Sequence, residues 1–136
     1  MDDGKIIDFA TLCLGPKPNQ FLVAPSGLCP RAKPHLAAPQ FHLPPERVRD
    51  AFLRVAAHEP RVRLTAEQAS TLSYTFVQRS LVLHFPDIIS VQFFPEGEGF
   101  STLSAYSRSV HGYFDLGANA KRVKDWLAKV RSALAR

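Results

Sequence analysis

Cysteine is scarce in this chain of 136 residues: only Cys13 and Cys29 are present, with no Cys-x-x-Cys and no histidine at zinc-finger spacing. That excludes a disulfide-stapled scaffold and a structural zinc framework, so the two cysteines are read as free thiols. No apolar run approaches the roughly 20 residues that cross a bilayer, so no transmembrane segment is expected. Glycine is sparse, at seven, and none is arranged as a phosphate-cradling loop or a nucleophile elbow. Internal repeats are lacking too. The opening Met1-Asp2-Asp3-Gly4-Lys5 is acidic and lacks the basic-then-apolar order of a secretory signal, which gives the expectation of a cytoplasmic protein.

What is there fits an ordinary globular chain. Hydrophobic residues make up 46% and charged residues 21%, and the length suffices to bury a core without covalent staples. The reading is one domain over 1–136, with an extended proline-rich wrap over 1–43 and an α+β core over 44–136. The formal charge of +5 is local. Residues 119–136 hold Lys121, Arg122, Lys124, Lys129, Arg131 and Arg136 against the single acid Asp125, and the rest of the chain is neutral. Such a basic helix suits a phosphate or an acidic partner; equally, Lys129, Arg131 and Arg136 complement the negative end of a helix dipole.

Eight of the eleven prolines fall in the first 45 residues, where they block helix interiors and central ladders. Ile6-Ile7-Asp8-Phe9 reads as a short edge strand or a first helical turn. From Pro44 the pattern sharpens: Val48, Ala51, Phe52 and Val55 follow helical spacing, giving a helix over about 45–58 with His58 as a cation at its C-terminus. Three β-rich runs follow, Arg61–Thr65, Thr71–Gln78 and Ile88–Phe94. A Pro95–Gly99 turn then leads into a fourth, Phe100–Ser109, so the last two form a hairpin. The apolar segment 80–86 is expected under the sheet, with His84 as an interior polar group. Val123, Trp126, Leu127, Val130 and Leu134 make one stripe of a final helix with Asn119 as its N-cap and Trp126 in the core. The expected fold is α+β: an antiparallel sheet of about four strands with two helices packed on one face and an extended proline-rich N-terminal segment.

Pro86-Asp87, then Ser107-x-Ser109, then Gly112-x-x-Asp115-Leu116-Gly117-x-Asn119-x-x-Arg122 resembles the signature of the family known as domain of unknown function 1499. The early Cys13-Leu14-Gly15-Pro16-Lys17-Pro18-Asn19 is similar to that family's N-terminal element. The resemblance implies a fold and a set of positions but no activity. The family pattern usually carries an arginine at the position of Val110; Arg108 lies on the same strand face, one pair earlier, and is read as its substitute.

Arg108, Asp87, Asp115, Asn119 and Arg122 are expected to meet, since strand end, turn and helix start are neighbours. With Ser107, Ser109, His111 and Gly112 they form the candidate binding residues. Lys121 and Arg122 stand in a helix's first turn, where the dipole disfavours cations by about 0.3–1 kcal/mol each. Asp115 supplies the compensating anion if the corner is a closed structural network; a bound phosphate or carboxylate supplies it if the corner is a pocket.

The functional expectation is a non-catalytic binding or accessory module, with a small anionic ligand or acidic protein partner near 106–122 and no cofactor. The alternative is a small hydrolase using Ser109, His111 and Asp115; a further alternative is a protein-interaction module working through the N-terminal third. The five histidines, 35, 42, 58, 84 and 111, share no helical face and pair with no carboxylate at ligand spacing, so no metal is expected. Nucleic-acid binding is not expected either, because the aromatics lie on apolar faces rather than among cations.

Overall fold

A computed structural model of the chain describes residues 3–135; Met1-Asp2 of the acidic opening and the dipole cation Arg136 lie outside that range. Six strands and two long helices follow in the order β1 (Gln20–Ala24), β2 (Leu36–Ala37), α1 (Pro45–Ala57), β3 (Val62–Gln68), β4 (Ser73–Arg79), β5 (Pro86–Pro95), β6 (Ser101–Ser109) and α2 (Ala118–Leu134). The sheet order is β2-β1-β6-β5-β4-β3. Strands β3 to β6 form an antiparallel meander, β1 pairs antiparallel with β6, and β2 lies parallel to β1. The α+β class stands, but the sheet has six strands rather than about four and is mixed rather than antiparallel.

Both additional strands come from the proline-rich N-terminal third. Gln20–Ala24 falls between prolines yet carries none, so its backbone donors are free to pair, and Leu22, Val23 and Ala24 are buried. Phe41 joins the helix-side core, whereas parts of this third flanking β1 pack on the sheet face opposite the helices. There Phe9, Cys29 and Ala32 pack with Leu22, Ala24 and Tyr106, while Thr75 donates a hydrogen bond to the Lys5 carbonyl. Ile6–Asp8 are neither strand nor helix, and Phe9 begins a turn.

Both helices cover the other face. In α1, Val48, Ala51 and Phe52 point inward from the expected stripe; in α2, Val123, Trp126, Leu127 and Val130 do. Phe52 sits at the centre, with ring contacts to Phe76, Phe93 and Trp126. Full burial of such side chains contributes about 1.5–3 kcal/mol each, and this anchors α2 on the sheet. Pro44 and Pro45 open α1, where a missing N–H costs nothing, and His58 caps its end with Nδ1 2.7 Å from the Arg54 carbonyl oxygen.

Two local expectations are overturned. Leu81, Val82, Leu83 and Phe85 are exposed rather than tucked under the sheet, and His84 is exposed with them. The segment is a tight β4–β5 connection: Arg79 pairs with Pro86 in register, and Ser80 closes the loop through its bonds with Phe85. A loop that short has no chain with which to reach back beneath the sheet. Secondly, Gly117, at φ 79°, is the N-cap of α2, and Asn119 lies inside the first turn.

Candidate functional site

Strand pleating decides which predicted residues meet. Ser107 and Ser109 on β6 share the α2 side of the sheet with Asp87 on β5, which is paired in register with Ser109. Helix α2 starts directly over them. Asn119 is fully buried there and acts as the hub. Its Oδ1 accepts from Ser107 Oγ at 2.7 Å and from Arg122 Nη1 at 2.9 Å. Its Nδ2 donates toward Asp115 Oδ2 at 2.8 Å, Ser109 Oγ at 2.9 Å and the Asn19 carbonyl at 3.1 Å.

Arg122, one turn on, fills the neighbouring space. Its Nη2 reaches Asp87 Oδ2 at 2.7 Å, its Nη1 bonds Ser107 Oγ at 3.0 Å, and its Nε bonds Gln78 Oε1. The side chains of the ion pair are only 12% and 17% exposed, so the charges are largely removed from water and depend on each other. Asp115 faces the helix start: Oδ1 accepts from the Gly117 N–H at 2.8 Å and Oδ2 from the Asn119 N–H at 3.1 Å. Burial pushes its carboxyl up, but the hydrogen bonds from the Asn119 side chain and from the Gly117 and Asn119 amides outweigh that and hold it below the usual carboxylate value. It is the anion that offsets the cations of the first helical turn.

Gly112 joins through its carbonyl, which accepts from Asn19 Nδ2 at 2.7 Å; its φ of 84° suits a residue without a Cβ. Two predicted residues do not join. Arg108 alternates with Ser107 and Ser109, so it projects from the opposite face. Its Nη1 bonds Ser90 Oγ at 3.0 Å and the Tyr106 carbonyl at 3.1 Å, and its guanidinium lies 4.7 Å from the Tyr106 ring centre. Val110 is exposed on the loop. His111 packs against Phe85, with ring centres 5.2 Å apart. Among the described residues no hydrogen bond links it to Ser109 or Asp115, and Ser109 Oγ is engaged by Asn119, so hydroxyl, imidazole and carboxylate are not in sequential contact.

Asn19 and Gln78 belong to the network although neither stood among the candidates. Asn19 lies within the early Pro18-Asn19 element; Gln78 gave no signal of its own beyond its place opposite Asp87 in the ladder.

A cleft of about 240 Å³ runs beside the network along α2. Its lining sets Lys121, Arg122 and Lys129 against Glu59 and Asp125, and Lys129 is already bonded to Glu59 at 2.6 Å. This balance does not favour an anion. Among the described residues no group of three His, Cys, Asp or Glu side chains converges as metal ligands, and no helix is long and apolar enough to cross a membrane.

The sequence profile of the family described as Protein of unknown function (DUF1499) matches residues 11–130, which takes in every strand, both networked loops and most of α2. The chain belongs to this family. No curated protein matches it. Asp87, Ser107, Ser109, Gly112, Asp115, Asn119 and Arg122 all fall within the matched span.

Proposed function

We propose that this DUF1499 chain is a non-catalytic binding module that meets an anionic partner with the outer surface of the 106–122 corner. One observation carries the reading: the polar groups inside the corner are committed to one another, whereas away from the charge-balanced cleft its outside presents exposed cations. Asp87 and Asp115 turn inward to Arg122 and to the α2 amides, so neither carboxylate offsets the exterior. Lys17, Arg79 and Lys121 are exposed around it. Lys17 comes from the turn held to β1 by Gln20, Arg79 from the β4 end beside Pro86, and Lys121 from the first turns of α2. The closed network supports a rigid platform rather than a reaction centre or a small internal anion pocket.

A labelled polyglutamate peptide, followed by fluorescence anisotropy at low salt, tests this. Lys121→Glu should weaken binding about three- to five-fold, the effect of an exposed charge interaction of up to about 1 kcal/mol. Lys129→Glu, at the far end of α2 and bonded to Glu59, should change it little. Equal losses for both variants would mean diffuse attraction to a basic chain and would overturn the reading, as would no binding by the parent.

A further inference from the structure

The network leaves unexplained a cluster of apolar side chains outside it. Eight of the eleven large hydrophobic residues exposed among the described residues come from two adjoining loops: Leu81, Val82, Leu83 and Phe85 from the β4–β5 connection, and Val110, Tyr113, Phe114 and Leu116 from the β6–α2 connection. The loops touch through the Phe85 and His111 rings and through a hydrogen bond from the Val110 N–H to the Pro86 carbonyl at 3.2 Å. Leu116 is 99% exposed, Val82 80% and Phe114 71%. Single exposed leucines are ordinary, but a cluster on two neighbouring loops marks a surface that is covered in use. The N-terminal third, the other place where an apolar docking strip was expected, exposes only Leu36 among its described large hydrophobic residues.

Resting on the binding-module reading, we infer that the partner is the surface of an anionic lipid bilayer, with the two loops entering its headgroup region. Shape and charge together select this occupant. The apolar side chains are tips that project from loops, with tyrosine and phenylalanine among them, a composition suited to an apolar-to-aqueous boundary. The rim carries the exposed cations Lys17, Arg79 and Lys121, while the carboxylates of Asp87 and Asp115 are turned inward. Apolar insertion and attraction to anionic lipid reinforce each other, and neither alone holds a protein well. Leu116 also holds φ 54°, where a bulky side chain is disfavoured, without any burial in return.

The test is co-sedimentation of the full chain with vesicles of phosphatidylcholine containing phosphatidylglycerol, and with phosphatidylcholine alone. Binding is expected to the first and to be much weaker on the second. Val82→Asp and Leu116→Asp, both at exposed tips and so harmless to the core, should each weaken it at least about ten-fold. Lys121→Glu should weaken it about five-fold or more. Tyr113→Trp should show a blue-shifted emission component on anionic vesicles. If polyglutamate binding persists at the corner while anionic vesicles are not bound, the lipid inference fails and the binding-module reading survives; if neither probe binds, both fail. Vesicle binding indifferent to Val82→Asp and Leu116→Asp would also overturn insertion. A dimer in solution that Leu116→Asp dissolves would assign the patch to a second copy of the chain instead.

Discussion

Arg122 Nη2 donates to Asp87 Oδ2 at 2.7 Å, joining α2 to β5 across 35 residues of sequence. The pair fastens the helix at its N-terminal end, while Trp126 and Val130 fasten it further along by burial. Breaking it leaves one poorly hydrated charge without a partner. Arg122→Met and Asp87→Ala should therefore each cost about 2–4 kcal/mol in urea unfolding. A double-mutant cycle should return a coupling of about 1–3 kcal/mol.

Asn119 is fully buried and bonds four residues from three other segments of chain, Ser107 and Ser109 on β6, Asn19 and Asp115. Asn119→Ala removes all of these bonds at once and deprives the Ser109 hydroxyl of its Asn119 donor, while Ser107 keeps Arg122 and the Asn19 carbonyl keeps the Ser109 N–H. The expected loss is about 2–4 kcal/mol by chemical denaturation. Asn119→Asp should be at least as damaging, because the new charge faces Asp115.

Asp115 makes this corner sensitive to acid. Its carboxyl is held below 3.8, its ordinary value, by the bonds it accepts in the fold, and those bonds are absent in the unfolded chain. Its contribution is therefore complete above that value and is lost as pH falls through the lower folded value. The unfolding free energy of the parent should drop across this window, and Asp115→Asn should remove its share of the drop. A pH profile of thermal unfolding for the two proteins measures the difference.

Arg108 lies on the face opposite Asn119, with its guanidinium at Ser90 and Tyr106. Arg108→Gln is expected to leave polyglutamate and vesicle affinity unchanged, whatever it does to stability. Anisotropy and co-sedimentation of this variant beside Lys121→Glu check the assignment of faces.

Which parts of this fold were legible follows from where the physical signal is local. The α1 stripe Val48, Ala51 and Phe52, the Pro95–Gly99 turn and the α2 stripe around Trp126 each state their period or turn chemistry within a dozen residues. The pairing of Gln20–Ala24 with β6 spans the chain and is obscured by surrounding prolines, and Leu36–Ala37 is too short to show a period. In the exposed segment 81–85 apolar composition does not mean burial, because the short β4–β5 connection leaves no chain to reach beneath the sheet. For the corner, Asp87, Ser107, Ser109, Asp115, Asn119 and Arg122 were all visible. For Arg108 the period-two pleat decides: Ser107 and Ser109 face the helix, so the residue between them cannot. Gln78 enters only through strand register, which no single sequence displays.

The most direct measurement is a ¹⁵N–¹H correlation spectrum of the full chain titrated with polyphosphate at low salt. The account predicts shift changes concentrated in the amides of 79–86 and 110–121, with Asn119 and Arg122 perturbed only as neighbours and their network intact. Changes centred instead on the basic C-terminal half of α2, or spread evenly over the chain, would contradict a binding surface at this corner.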